Sequence, residues 1–150
     1  STKVSIMSRV QLSWADGRTF VGQVSRGEFN GHGSLTYPDG KKYVGTFSMG
    51  KYHGRGTLTR PDGYKYVGNF VNDVQHGEGA LISPKGFSYY GDFKNGKFDG
   101  RGKYRFADGK VYEGQFKDGE FHGNGAIFWP NGARHHGFFC KGEPEIPGLY

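Results

Sequence analysis

Tyr112-Glu113-Gly114-Gln115-Phe116-Lys117-Asp118-Gly119-Glu120-Phe121-His122-Gly123-Asn124-Gly125 is the stretch that decides the fold of this chain. Tyr112, Gly114 and Phe116 alternate with Glu113 and Gln115, the period of two that a strand imposes on its side chains. Working outward, the same order recurs every 23 residues: full units open at Phe20, Tyr43, Tyr66, Tyr89 and Tyr112. Four residues after each opening stand Val24, Phe47, Phe70, Phe93 and Phe116. Of the 28 glycines, 27 fall into five columns with this spacing, and Asp73 fills the single gap. Glycines this regular mark backbone positions that need positive φ or close approach of another chain once per unit. Aspartate suits the gap because Asx residues visit the left-handed region more readily than other side chains.

A second run follows each Gly-x-Gly: Ser34 to Tyr37, Thr57 to Arg60, Ala80 to Ser83, Lys103 to Phe106, and Ala126 to Trp129. Turn residues close it, as in Pro38-Asp39-Gly40 and Pro61-Asp62-Gly63. Proline presets the first turn φ and glycine supplies the positive one. Each unit is therefore expected to be a β-hairpin. The fold class that follows is all-β: an elongated single-layer antiparallel sheet of tandem 23-residue hairpins, twisted and curved, with an open groove. The array is expected over 12–142, flanked by an N-terminal extension, 1–11, and a C-terminal tail, 143–150. It divides into a half repeat 12–19, full repeats 20–42, 43–65, 66–88, 89–111 and 112–134, and a half repeat 135–142.

The run from Tyr43 through Gly63, and Tyr112 to Gly125 most clearly, resembles the MORN (membrane occupation and recognition nexus) repeat. Departures are modest. Phenylalanine replaces the family's frequent tryptophan, Asn30 and Asp99 stand in the histidine slot, Lys85 and Asn131 in the turn aspartate slot, and His135 in the opening tyrosine slot. The resemblance implies an adaptor or scaffold for cytoskeletal, motor, ciliary or junctional assemblies, and the family name records a proposed affinity for membranes.

Composition limits the function classes. Hydrophobic residues make up 34% and aromatics 17%, so stacked rings and interlocked backbones must supply most of the packing. Cys140 is the one cysteine, which leaves no internal disulfide framework and is consistent with a reducing compartment. A cytoplasmic protein is expected. Net charge is +6 and uneven. Six basic residues lie between Lys41 and Lys65 against Asp62 alone, and six more between Lys94 and Lys110 against Asp99 and Asp108. They read either as a solvated mixed surface or as the footprint of an anionic partner.

No matched acid, base and nucleophile is found, so no catalytic residue is assigned and the chain is read as non-enzymatic. His53, His76 and His122 share one repeat slot and would stand about 10 Å apart at normal strand spacing, too far for common zinc ligands. They are expected to be loop residues. His135 and His136 point to opposite faces of a strand, so no metal is assigned there either. Gly31-x-Gly33 and its copies lack the helix and lysine of a phosphate loop. Aromatics interleaved with cations are better explained by hairpin-to-hairpin packing than by stacking on nucleic-acid bases. No cofactor and no nucleic acid are expected.

Binding is expected on an aromatic face that a single sheet leaves uncovered. Tyr43, Phe47, Tyr66, Phe70, Tyr89 and Phe93 lie on it, joined by Tyr112 and Phe116, with Tyr37 and Trp129 added if strand phase is kept through the Gly-x-Gly bend. Each ring is either repeat core or part of an open trough for an amphipathic helix or extended peptide. Lys51, Arg55, Lys97, Arg101 and Lys103 form the accompanying basic patch, favouring a partner segment with acidic flanks. Two alternatives stand beside this protein-interaction scaffold. One is peripheral binding of phosphoinositides or other anionic phospholipids; the other is self-assembly into a homodimer or filament through open sheet edges.

Overall fold

A computed structural model describes residues 8–142. The chain forms two blocks that divide after Asp73. β1 (Ser8–Ser13), β2 (Thr19–Ser25), β3 (Glu28–Thr36), β4 (Lys42–Ser48), β5 (Lys51–Thr59) and β6 (Lys65–Val71) make the first. β7 (Val74–Ile82), β8 (Ser88–Lys94), β9 (Lys97–Arg105), β10 (Val111–Lys117), β11 (Glu120–Phe128) and β12 (Arg134–Gly142) make the second. Within each block the strands are antiparallel neighbours in chain order, the all-β hairpin architecture that the repeat predicts.

Two kinds of turn alternate. The tighter one joins β8 to β9 through Asn95 (φ 51°) and Gly96 (φ 81°), and its counterparts also place two consecutive residues at positive φ. That is the turn whose twist matches paired strands. Asp73 keeps the conformation of its column (φ 73°), and its carboxylate accepts the Tyr52 N–H at 2.8 Å. The later tight turns are tied to the preceding hairpin: the Gly50 N–H donates to the Phe29 carbonyl, and the Gly96 N–H to that of Gln75, both at 2.9 Å.

The other turn follows the second strand. The Gly40 N–H donates to the Tyr37 carbonyl at 3.0 Å, and the Asp39 carboxylate accepts the Lys41 N–H at 2.8 Å. Asn131, in the aspartate slot, makes the same bond to the Ala133 N–H at 2.9 Å. Where Lys85 occupies that slot, the Ser83 hydroxyl accepts the Lys85 N–H instead. A cation also lies over an aromatic ring across several of these turns: Arg18 over Trp14, Lys41 over Tyr37 and Lys110 over Phe106. Arg60 and Tyr64 make the same contact with the two positions exchanged.

From β2 onward, a glycine near the middle of each strand serves close approach. A Cβ on Gly45 would lie 2.4 Å from the Gly56 Cα, and one on Gly56 only 2.3 Å from the Tyr43 hydroxyl. The tyrosine ring lies over that glycine pair, and its hydroxyl donates to the Thr46 carbonyl at 2.7 Å. The ladder needs this bond because its register shifts there, between Gly45 and Phe47. One residue on β4 faces three on β5, so parity survives and Leu58 remains opposite Tyr43, on the same face. Tyr66, Tyr89 and Tyr112 repeat the bond to Asn69, Asp92 and Gln115.

Two boundaries differ from expectation. The first strand begins at Ser8, inside the expected 1–11 extension, and pairs with β2 from Ser8↔Val24 to Ser13↔Thr19. Its place in the repeat carries Val10 instead of glycine, so the glycine pattern is silent there, although pairing needs only backbone. The second strands also start earlier than read: β5 begins at Lys51 and contains Gly54 and Gly56. The expected tail, 143–150, lies outside the described residues.

Candidate functional site

The rings expected to line an open trough are closed into a core. Tyr43, Phe70 and Tyr112 are fully buried, and Phe47, Tyr66, Tyr89, Phe93 and Phe116 are no more than 3% exposed. The cause is a further aromatic column that the sequence reading passed over. Tyr52 stacks on Tyr43 with centroids 3.9 Å apart, Phe98 on Tyr89 at 3.7 Å and Phe121 on Tyr112 at 3.8 Å. Phe29 does the same for Phe20. Flanking phenylalanines close the stacks edge-on, as Phe116 does against Tyr89. The signal was present at 23-residue spacing in Phe29, Tyr52, Phe98 and Phe121, interrupted by the buried Gln75. Burial raises the Tyr43 phenol to about 12 and pushes Tyr52, Tyr66 and Tyr112 up as well. Tyr37 is half-buried, its hydroxyl 2.6 Å from that of Tyr52, and Trp129 keeps 38% of its surface exposed.

The histidine slot is a turn cap within strands, not a loop. His53 and His76 lie in β5 and β7, where each Nδ1 accepts an N–H from the next tight turn, from Asn72 at 3.3 Å and Asn95 at 3.4 Å. Asp99 performs this task for Asp118 at 3.3 Å. Among the described residues no three or more His, Cys, Asp or Glu side chains gather as a metal site would.

Accessible relief lies instead on the opposite, open face of the second block. Tyr90 is 57% exposed there and its hydroxyl donates to the Glu78 carboxylate. Lys103 faces both Tyr90 and Glu113 across the strands, with its ammonium 3.8 Å from the Glu113 carboxylate. Between these side chains is a cleft of 390 Å³. A second, of 680 Å³, is lined by Ala126, Phe128, His136 and the 73% exposed Phe138. A third, of 610 Å³, lies where the β8–β9 and β10–β11 turns come side by side, and contains Lys94, Lys97 and Lys117.

Arg101 lines all three clefts. It is exposed, and among the described residues its guanidinium has no ion pair. Its backbone N–H is held by the Asp92 carboxylate at 3.2 Å, which fixes where the side chain starts. Of the basic residues singled out from sequence, Arg101 meets Lys97 in the turn cleft and Lys103 in the smallest one. Lys51 and Arg55 are exposed on β5 of the first block.

Antiparallel hairpins repeated in chain order, with a sealed ring face and a charged, indented face behind it, define a β-hairpin repeat protein. The MORN repeat model matches residues 20–42, 43–63, 66–87, 89–111 and 112–134, and the chain belongs to that family. The MORN repeat is a non-enzymatic repeat module and generally an interaction module. No curated protein matches the chain. Among solved structures it is similar to the TCP domain of SAS-4 (dCPAP) from Drosophila melanogaster, determined in complex with a proline-rich motif of Ana2 (dSTIL). The two share 17% identity over 85% of this chain and 88% of that one, with a TM-score of 0.39.

Proposed function

We propose that this protein is a scaffold or adaptor that holds a partner segment, an amphipathic helix or an extended peptide with acidic residues, on the open face of its second block. The observation that carries the reading is Arg101, an exposed cation with no ion partner among the described residues, at the meeting point of three clefts. An acidic side chain of the segment pairs with Arg101, and apolar side chains enter the depression beside Phe128 and Phe138. A planar guanidinium suits bidentate carboxylate recognition, and exposed aromatics make good anchors. The partners in view are cytoskeletal, motor, ciliary or junctional proteins, met in the cytoplasm. Binding is transferred here from the ring face because eight of the rings first considered, Tyr43 and Phe116 among them, are sealed.

The test is titration of a fluorescent peptide carrying two apolar anchors and glutamate flanks against the wild type and Arg101→Glu. Affinity is expected to fall at least about tenfold in the variant and to weaken with salt in the wild type. Equal affinity for both proteins would remove the open face from the mechanism. Binding to vesicles of anionic phospholipid, with none to the peptide, would favour the membrane reading.

A further inference from the structure

The turn cleft of the second block carries an electrostatic conflict that folding alone does not explain. Lys94 and Lys97 stand directly opposite each other across the β8–β9 hairpin. Like charges so placed are destabilising. No other tight hairpin lying within one block does this among the described residues: the equivalent pairs are Ser25 with Glu28, Ser48 with Lys51, and Lys117 with Glu120. Lys117 of the next hairpin and Arg101 line the same cleft, and among the described residues none of these four cations is ion-paired.

Two carboxylates also face the cleft, those of Asp99 and Asp118. The first is engaged with the Asp118 N–H at 3.3 Å. Four cations against two carboxylates leave a net +2 in 610 Å³, with His122 on the wall counted as neutral. A single carboxylate answers half of that excess. A phosphomonoester, with about −1.5 to −2 charge near neutral pH and three acceptor oxygens, answers nearly all of it. Arg101 supplies the forked donor for two of those oxygens, and the lysines supply point charges.

We propose that this cleft is a phosphate-recognition site for a phosphorylated serine or threonine of the partner segment, so that capture by the scaffold depends on phosphorylation. The inference rests on the partner-segment reading above and adds the modification that switches it on. A protein segment is favoured over a lipid surface because the cations lie in a recess that also holds Asp99 and Asp118, whose charges oppose a flat anionic membrane.

Two measurements test it. The first compares peptides with apolar anchors and a central phosphoserine, glutamate or serine. The phosphoserine form is expected to bind at least about tenfold tighter than the glutamate form, and Lys94→Gln with Lys97→Gln is expected to erase that preference. The second uses inorganic phosphate as probe at constant ionic strength. Phosphate is expected to raise the Tm of the wild type but not of the double variant, whose own cooperative unfolding shows that it is folded. Equal affinity for the phosphoserine and glutamate peptides, or the same phosphate shift in both proteins, overturns the proposal. Arg101-dependent binding of the glutamate peptide would then leave the scaffold reading standing; loss of all peptide binding would remove both. Vesicles containing phosphoinositide that bind the wild type but not the double variant, while the phosphopeptide binds neither, assign the cleft to lipid and also overturn it.

Discussion

The two blocks use the same ring columns on one face and diverge on the other. Beside the central glycines, the open face of the first block carries Val21, Ser34, Val44, Thr57 and Val67. At the equivalent places the second carries Ala80, Tyr90, Lys103, Glu113 and Ala126. Valine and threonine give a low, even surface suited to strands. Tyrosine, lysine and glutamate project further, and the clefts described lie between them. The comparison teaches that the ring face is constrained in every repeat by packing on glycine, whereas the opposite face is free to vary, and variation there creates a site.

The broadest way to break the comparison is alkali, which acts on the shared face of both blocks. Folding favours the neutral phenols, so the stabilisation from Tyr43 is complete below the ordinary tyrosine value of about 10 and is lost as pH rises through about 12. Absorbance at tyrosinate wavelengths is expected to show an early exposed class and a late class that titrates together with loss of β-sheet circular dichroism. Early titration of every tyrosine would mean that the ring face is open.

Next in size is Tyr89→Ala, which removes a buried ring together with its bond to the Asp92 carbonyl. Denaturant unfolding is expected to show a loss of about 3–5 kcal/mol. A loss below about 1 kcal/mol would indicate a surface contact instead of core. On the open face the expectation is reversed: Arg101→Glu should leave stability within about 0.5 kcal/mol while weakening acidic-peptide binding. Arg55→Glu, its counterpart in the first block, sharpens the comparison, because unchanged peptide binding is expected there. An equal effect from the two would show that cleft geometry does not matter.

Smallest is Asp73→Gly. It relieves positive φ at a non-glycine residue but deletes the carboxylate bond to the Tyr52 N–H. These oppose each other, each at about 1 kcal/mol, so the unfolding midpoint is expected to move little. A shift as large as that of Tyr89→Ala would make this turn part of the core.

Much of this architecture is legible in residue order. The opening tyrosines, the phenylalanines four residues on and the Pro-Asp-Gly turns locate strands and turns because side-chain alternation and positive φ are local properties. Less legible was the stacking column of Phe29, Tyr52, Phe98 and Phe121, which follows the tight turn and belongs to no alternating run quoted from sequence. Missing it left the ring face looking like a trough. The place of His53 is hidden from sequence for a related reason: the register shift lengthens the second strand past it, and a bulge is a property of two paired strands rather than one.

Of the site, the sequence marked Lys97, Arg101 and Lys103 as basic residues near one another in the repeat, but not that Arg101 borders three clefts or that Lys94 faces Lys97. What the sequence by itself determined was the unit, its hairpin form and its family, since these follow from spacing, turn chemistry and backbone conformation within 23 residues. The tertiary structure alone decided which face is sealed and which is accessible. Burial depends on where rings from neighbouring strands come to rest, and charge imbalance depends on which side chains share a cleft.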